Sequence, residues 1–444
     1  MKTPLLIISD APSASSGLGR ICRDLALGVY HNLSDIYDVG TLGYGGNGDR
    51  ALPFPQYNIE GMKDWFIPTI KDVWENFAGS RKGIVMTIWD ASRLLWLSRP
   101  QEKIWRRDRE IAEWLMTKPF KLCGYFPMDA EGPNGMLCRI NAECVYGFDR
   151  VIAYSGWAKK MMENTFNEID CARQELTAIP HGIHTNVFHP HQERDKRGVF
   201  HGDLLYNGPV LEDYEKIVGI VATNQARKDY GLAFAALAEL SKDTPIRIFV
   251  NIDILERHWS IPQLLYDYNL MPRTIINMNL VPDETLARVY SACDLTLGIG
   301  PEGFGYPIFE SLACGTPVLA GSVGGHAEHM EPSHLIHPVA TRVEGVYNSV
   351  RPVYDPKKWA FAIKKMLNRS ESNPARFTLQ KSLLPPRLDW KNLWAAEWEP
   401  WFRRQADSLA QQRGPALVET SSNSEMDTDP VENRRSTTVY PVTT

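Results

Sequence analysis

The sequence predicts an α/β protein in which parallel sheets are covered by helices. The chain opens with a buried strand, a loop rich in Gly and Ser and then a helix, and a second alternation of strands and helices begins at Lys216. A length of 444 residues exceeds one ordinary hydrophobic core, so we expect two domains.

Composition narrows the class of protein. The chain is 43% hydrophobic and 23% charged, which is typical of soluble globular proteins, and its net charge of -5 provides no global basic field for nucleic acid. Its 7 cysteines form neither a C-x-x-C pair nor a zinc-like pattern, which favours reduced thiols. The first apolar run, Pro4 to Ser9, is too short for a secretory signal, and no run reaches transmembrane length. We therefore expect a cytoplasmic protein.

The first strand, Pro4 to Ser9, leads into the loop SASSGLGR. Gly17 and Gly19 would let the backbone approach a ligand closely, although they could equally serve a tight turn, since the full dinucleotide fingerprint is missing. Arg20 could neutralise a phosphate or cap the loop.

Further strand-like runs occur at Ile84 to Ile88, Leu122 to Phe126 and Arg150 to Tyr154. Asp90 and Asp129 follow the first two of these runs, and open parallel sheets bind ligands at such strand ends. Either could be an acid on the acceptor side. The alternatives are a helix cap for Asp90 and an Asx turn for Asp129.

Residues 99–121 read as a basic helix with Trp105 and Trp114 among its apolar positions. A solvated helix with an ordinary core face is one interpretation, and peripheral contact with a membrane or a nucleic acid is the other. His181, His184 and His189 lie on an extended Pro/Gly segment without helical ligand spacing, so we predict no metal site there.

The second unit places Arg227 and Lys228 side by side after its first strand, before an alanine-rich helix. Two cations at a strand end facing another domain would bind a diphosphate well, whereas a solvated turn is the alternative. Strands are predicted at Ile246 to Asn251, Thr274 to Met278 and Leu335 to Val339.

The stretch Gly300 to Glu328 places two carboxylates around a turn and a helix. The helix is predicted to start at Pro307, because proline suits a first helical position and an apolar face follows. It exposes amides at its N-terminus, those of Gly303, Phe304 and Gly305. Glu302 precedes the loop and Glu310 lies about one turn into the helix. Alternatively, Glu302 complements the helix dipole and Glu310 is a solvated helix residue.

The end of the chain changes character twice. Asp389 to about Leu409 is a helical segment rich in tryptophan, whose aromatic residues on several faces predict packing against more than one surface, the two domains being one option. Beyond Gln412 the composition predicts disorder.

Several segments, in this order, resemble family 4 of the GT-B glycosyltransferases, which retain the anomeric configuration: SSGLGR, IPHGIHTNVF, NQARKD, VPDETLARVYSACDL and GPEGFGYPIFESLACGTPVLAG followed by GGHAE. The resemblance covers nearly all of residues 1–410. It implies two Rossmann-like domains facing across a cleft, with the C-terminal helix crossing back to the first. The implied division is an acceptor domain at 1–190 with the crossing helix at about 388–412, a linker at 191–212, a donor domain at 213–387 and a disordered tail at 413–444.

The resemblance also implies roles for individual residues. Arg227 and Lys228 would hold the diphosphate of a nucleotide-sugar donor, UDP- or GDP-linked, and no metal would be required. Glu310 would bind the ribose hydroxyls. Glu302 and the amides of Gly303, Phe304 and Gly305 would contact the transferred sugar. Gly17 and Gly19 would let the first domain approach the phosphates, and the backbone around Val281 would bind the base.

The chain departs from the family pattern at two places. Ala222 and Thr223 stand where many relatives carry a Gly-Arg pair, and Asp129 occupies the neighbourhood of an acceptor-domain histidine. The predicted catalytic residues are therefore Glu302 and Asp129. The acceptor could be a glycan, a lipid-linked sugar, a metabolite or a modified nucleic-acid base. A catalytically inactive sugar-nucleotide-binding protein is the second hypothesis and an NAD-dependent oxidoreductase the third.

Overall fold

The computed structural model describes residues 2–46, 51–59, 66–168, 175–191, 195–212, 214–345, 347–372 and 381–411. The predicted disordered tail, 413–444, lies outside these ranges. No helix in the described ranges combines the length and the apolar composition that crossing a bilayer requires.

The first sheet has 7 parallel strands in the order β3-β2-β1-β4-β5-β6-β7. Their bounds are β1 Thr3–Asp10, β2 Tyr37–Tyr44, β3 Gln56–Ile59, β4 Gly83–Ile88, β5 Phe120–Phe126, β6 Arg150–Ala153 and β7 Glu175–Ala178. The four strands predicted in this part of the chain are confirmed. The sequence did not reveal β2, because its glycines dilute the apolar pattern. One of them, Gly43, is required by packing, since a Cβ there would lie 2.4 Å from the Cα of Ala11.

The helices of this part are α1 Gly17–Asn32, α2 Ile70–Ala78, α3 Leu95–Ser98, α4 Pro100–Lys103, α5 Arg109–Met116, α6 Arg139–Tyr146 and α7 Gly156–Glu168. The single basic helix predicted over 99–121 is wrong. The chain leaves α4 after Lys103, buries Ile104, and starts α5 where the Asp108 carboxylate accepts a bond of 3.1 Å from the Ile111 amide. An N-cap inside the segment thus divides it in two.

The second sheet has 6 parallel strands in the order β10-β9-β8-β11-β12-β13. Their bounds are β8 Lys216–Val221, β9 Ile246–Asn251, β10 Thr274–Asn277, β11 Leu295–Gly298, β12 Val318–Gly321 and β13 Leu335–Ile336, which is shorter than predicted. The helices are α8 Tyr230–Leu240, α9 Ile261–Asp267, α10 Asp283–Ala292, α11 Tyr306–Ala313 and α12 Pro356–Ser372. An antiparallel hairpin, β14 Ala340–Glu344 and β15 Ser349–Val353, was not predicted.

Part of the segment predicted as an irregular linker, 191–212, is ordered. Gly198–Asp203 form one π-helical turn, and Val199, Phe200 and Leu211 are buried in the core beneath the second sheet. Lys196 adds an ion pair of 2.8 Å with Asp294. These contacts fix the segment against the second unit.

The C-terminal segment consists of α13 Trp390–Leu393, a π-helical turn Trp394–Trp398 and α14 Glu399–Gln411. It packs on the first unit, as the family resemblance implies. The Tyr37 hydroxyl donates to the Phe402 carbonyl over 2.6 Å, and Gly28 of α1 leaves room for the ring of Trp394. The protein thus has two Rossmann-like units with the last helix crossing back to the first.

Candidate functional site

The carboxyl ends of the two parallel sheets meet at a seam between the units. A Cβ built on Gly303 would lie 2.9 Å from the Met128 carbonyl oxygen, and one on Gly325 would lie 2.4 Å from Ser155 Oγ. The loops after β5 and β6 therefore touch the loops after β11 and β12 directly. Ligands of parallel sheets bind at such strand ends.

The loop after β11 owes its shape to two glycines. Gly300 has φ +83° and Gly305 has φ +90°, conformations that residues with a side chain adopt at a cost. A Cβ on Gly300 would also lie 2.1 Å from the Arg227 carbonyl oxygen. Helix α11 starts at Tyr306, one residue before the predicted position, and Gly305 is its N-cap. The loop therefore holds Glu302 close to the turn that follows β8.

Asp129, Arg227, Lys228 and Glu302 form a cluster of charges across the seam. Arg227 Nε lies 2.7 Å from Asp129 Oδ2, and Arg227 Nη1 lies 2.9 Å from Glu302 Oε2. Lys228 Nζ contacts the other oxygen of Glu302. The solvated turn considered for Arg227 and Lys228 is wrong, because Lys228 is buried and both cations face carboxylates.

Asn224 holds the turn that carries these cations. Its buried amide donates to the carbonyls of Ile254, Leu255 and Trp259 and accepts from the Trp259 amide over 3.0 Å. Burial, with the charge of Arg227 second, lowers the pKa of the Lys228 ammonium well below its usual range. An anion beside Lys228 would oppose this shift.

Glu310 belongs to a second group of charges, also across the seam. Its side chain is 3% exposed, so the solvated helix residue considered above is wrong. One oxygen contacts Arg20 of α1, and the other accepts from the Tyr290 hydroxyl over 3.0 Å. Burial raises the pKa of Glu310, and Arg20 opposes that rise.

Arg20 is held on several sides. Its second guanidinium nitrogen lies 2.6 Å from Asp283 Oδ1, and its guanidinium carbon lies 5.1 Å from the centre of the Tyr306 ring and 5.5 Å from that of Phe188. The sequence predicted that Arg20 would bind a phosphate or cap its loop, and it did not predict this contact with Glu310. Arg20 thus bridges the two units.

The glycines of the first loop have different surroundings. A Cβ on Gly19 would lie 2.6 Å from the Ala11 carbonyl oxygen, so this glycine serves the loop's own packing. Gly17 faces the other unit, since a Cβ on it would lie 3.7 Å from the Tyr306 ring. Val281 is partly buried just before α10, which also carries Asp283. The structure thus brings Gly17, Arg227, Glu302 and Glu310 to the seam, whereas Gly19 packs within its own loop and, among the described residues, no contact with the first unit places Val281 there.

Two further contacts at the seam were not predicted. Both oxygens of Glu328 accept from the first amides of α7, those of Gly156 over 3.0 Å and Trp157 over 3.1 Å. Arg351 of the hairpin donates to the Asp129 carbonyl over 3.1 Å. Glu328 lies in the motif GGHAE, which could have drawn attention to it, whereas Arg351 had no local signal.

The three histidines discussed above lie in separate contacts. His181 is buried, and its Nδ1 lies 2.6 Å from the Tyr125 hydroxyl. Burial lowers the pKa of His181 well below the usual range. His184 Nε2 lies 3.0 Å from Asp24 Oδ2, and His189 is near its own chain neighbours. Within the described ranges, no group of three or more His, Cys, Asp or Glu residues could hold a metal ion.

Comparisons with known proteins concern both sequence and fold. Residues 208–376 match the family described as Glycosyl transferases group 1. The chain is 26% identical over 202 residues to the D-inositol 3-phosphate glycosyltransferase of Segniliparus rotundus, covering 45% of this chain and 40% of that protein. It is 25% identical over 262 residues to that of Mycolicibacterium smegmatis, covering 55% of this chain and 51% of that protein. The chain therefore spans about half the length of these relatives or less.

Solved structures match nearly the whole chain. Sucrose-phosphate synthase from Thermosynechococcus elongatus superimposes with a TM-score of 0.63 and 17% identity over 93% of this chain and 99% of that one. HepE of Anabaena in complex with UDP-glucose superimposes with a TM-score of 0.61 and 15% identity, over 92% of this chain and 99% of that one. The catalytic domain of starch synthase IV from Arabidopsis thaliana, bound to ADP and acarbose, superimposes with a TM-score of 0.63 and 12% identity, over 91% of this chain and 99% of that one. The chain thus has the GT-B fold over nearly its whole length, and the match to the glycosyltransferase group 1 family lies in its second unit.

Proposed function

We propose that the protein is a retaining glycosyltransferase of family 4, which moves a sugar from a nucleotide diphosphate donor to a hydroxyl acceptor. The observation that carries the proposal is the pairing of Arg227 and Lys228 with Glu302 where the two sheets meet. Two cations that could bind a leaving diphosphate, Arg227 and Lys228, thus lie in direct contact with Glu302, a carboxylate that could accept hydrogen bonds from sugar hydroxyls. The solved neighbour bound to UDP-glucose supports a UDP-sugar donor.

Arg227 and Lys228 would bind the donor diphosphate. Glu302 and Asp129 lie against these cations and neutralise them. A diphosphate entering the seam would replace carboxylate contacts with charge-assisted bonds to phosphate oxygens. Because burial lowers the pKa of Lys228, a bound dianion would also stabilise its charged form. These cations would stabilise the charge that develops on the leaving phosphate.

The glycine loop would then bind the transferred sugar. Glu302, once released from Lys228, can accept from sugar hydroxyls, and the amides of Gly303, Phe304 and Gly305 can donate to them. Glu310 would accept from the ribose hydroxyls, which requires Arg20 to share or leave the carboxylate it now contacts.

Retention without an enzyme nucleophile fits the placement of Asp129. Its carboxylate lies 2.7 Å from Arg227 Nε, so it can orient the cation that binds the leaving group. An oxocarbenium-like sugar forms as the bond to phosphate breaks. We infer front-face attack, in which the acceptor hydroxyl gives its proton to the leaving phosphate. No metal is required, because the cations at the seam take over charge neutralisation.

The test is nucleotide release from a panel of UDP-, GDP- and ADP-sugars by the purified full chain. We expect one donor to be hydrolysed slowly without acceptor, with the anomeric configuration retained in the product by NMR and with the rate unchanged by EDTA. Binding without release would favour the inactive sugar-nucleotide-binding protein. Failure of every nucleotide sugar to bind would refute the proposal, and binding of NAD instead would favour an oxidoreductase.

A further inference from the structure

We propose that the acceptor is an uncharged or amine-bearing polyhydroxyl compound, and not a phosphorylated one, and that it binds in a recess formed by Asp10, Asp90, Asp129 and Tyr154. This assignment rests on the proposed function, because it concerns the second substrate of the same seam. It names the chemical class of that substrate.

The topology places the four residues side by side. Strands β1, β4, β5 and β6 are consecutive neighbours in the first sheet. Asp10 is the last residue of β1, Asp90 follows β4 by two residues, Asp129 follows β5 by three and Tyr154 follows β6 directly. Since all these strands are parallel, their carboxyl ends lie on one edge. That edge faces Arg227 and Glu302, where the transferred sugar would lie.

Solvent reaches two of the three carboxylates. The side chain of Asp90 is 51% exposed and that of Asp129 is 38% exposed. Yet surrounding protein atoms desolvate Asp90 enough to raise its pKa, and the same is true of Asp10, whose carboxylate accepts from the Ser16 hydroxyl. Solvent access within dense surroundings is expected of a group that lines a concavity.

An unpartnered hydroxyl points to a ligand at this edge. Tyr154 is 3% exposed, and within the described ranges its hydroxyl has no hydrogen-bond partner. Its ring is held by Tyr125 and His181, with ring centres 4.2 Å and 4.0 Å away. Burial raises the pKa of Tyr154 well above its usual range, and the charges of Tyr306, Asp90 and Asp10 add to this rise. A ligand hydroxyl would satisfy this buried group, which is costly to leave unpaired.

The charges of the recess disfavour phosphate. Three arginines lie near this edge, and the Nε of each lies close to a carboxylate oxygen. The distances are 3.4 Å from Arg93 to Asp90 Oδ2, 2.7 Å from Arg227 to Asp129 Oδ2 and 3.4 Å from Arg351 to Glu344 Oε1. Arg93 and Arg351 are thus paired with carboxylates, and Arg227 is the cation assigned to the donor diphosphate, so none of these three arginines is left for a phosphate on the acceptor. A phosphate would bring negative charge beside carboxylates, while hydroxyls or an ammonium can donate to them.

The experiment compares matched acceptors after a donor has been found. The pairs are glucose and glucose 6-phosphate, fructose and fructose 6-phosphate, and D-inositol and D-inositol 3-phosphate, with glucosamine as the amine-bearing member. The purified full chain is assayed for transfer above acceptor-free hydrolysis. We expect kcat/KM to favour the member without phosphate by at least about tenfold. A phosphorylated member that is used as well as its partner, or better, overturns the proposal.

Two variants test the residues themselves. Asp90→Asn should narrow the preference against phosphate several-fold, whereas Asp72→Asn, an exposed aspartate of α2, should leave it unchanged. Tyr154→Phe should raise the acceptor KM about tenfold. Tyr37→Phe should not, because Tyr37 lies at the amino end of β2, away from the carboxyl ends of the strands. Melting curves show whether each variant folds. An unchanged preference in Asp90→Asn would overturn the proposal.

The outcome is separable from the proposed function. Donor hydrolysis without acceptor tests the glycosyltransferase activity alone. If hydrolysis occurs and the preference is reversed, only the acceptor class is wrong. If no nucleotide sugar binds, the proposed function itself fails.

Discussion

Replacing Arg20 with methionine should destabilise the protein strongly at neutral and alkaline pH. Arg20 contacts Glu310, a carboxylate that is 3% exposed, from the other side of the seam. Methionine keeps most of the side-chain volume but removes the charge. Glu310 would then retain only the bond of 3.0 Å from the Tyr290 hydroxyl.

The magnitude follows from burial. Removing one partner of a buried ion pair costs about 3 to 5 kcal/mol, because the other charge stays buried and unpaired. Arg20 is itself 19% exposed, and Tyr290 still donates to Glu310, so we expect the lower end, about 3 kcal/mol. The lost contact with Asp283 adds little, since that side chain is 38% exposed.

The loss should depend on pH. Burial raises the pKa of Glu310 above its ordinary value of 4.5 in the folded protein, and Arg20 opposes the rise. A raised folded-state pKa stabilises the fold at low pH, and this stabilisation is lost as pH rises through that pKa. Without Arg20 the pKa rises further. The difference from the wild type should therefore be small at pH 5 and full at pH 8.

Urea unfolding followed by tryptophan fluorescence at pH 5 and pH 8 measures the effect. Arg139→Met, at an arginine whose side chain is 93% exposed, is the control for the loss of one positive charge. The double variant Arg20→Met, Glu310→Gln should recover most of the stability at pH 8, because it no longer buries a lone carboxylate. Equal losses at both pH values, or no recovery in the double variant, would refute the reasoning.

Three further predictions concern the seam. Lys228→Met should weaken binding of UDP-glucose about 10- to 100-fold by calorimetry, through the loss of a charged hydrogen bond worth roughly 1.5 to 3 kcal/mol; unchanged affinity would exclude the diphosphate role. Glu328→Ala removes the carboxylate that accepts from the first two amides of α7 and should lower the free energy of unfolding by about 1 kcal/mol in urea; an unchanged free energy would show that these bonds do not stabilise the fold. Gly325→Ala would place a Cβ 2.1 Å from the Gly303 carbonyl oxygen and should lower turnover more than tenfold, whereas Gly202→Ala meets nothing within 4 Å and should not; equal rates would contradict the closed seam.

Local patterns predicted many of the strands and helices well, for physical reasons. Buried parallel strands are continuous apolar runs, as in Ile84 to Ile88, and helices are flanked by recognisable residues, as α11 is by Gly305 and Gly315. The same logic failed for the basic segment 99–121. Its apolar positions fit a helical period, but the cap at Asp108 starts a new helix within it.

The site was partly predictable for a similar reason. The glycine loop and its two acids are contiguous in sequence, so Glu302 and Glu310 could be found together. Their partners could not, since ion pairing between units depends on how the units meet. Arg351 is an example, because it reaches Asp129 from a hairpin that no turn motif indicated.

The sequence by itself determined two βα alternations, the cationic turn at Arg227 and Lys228, and the loop with Glu302. These are short-range properties, set by the periodicity of apolar residues and by the backbone preferences of glycine and proline. The tertiary structure alone decided which charge each acid meets. Glu310 pairs with Arg20 across 290 positions of sequence, and it does so because the packed units bring the two side chains together at one seam, where Glu310 is buried.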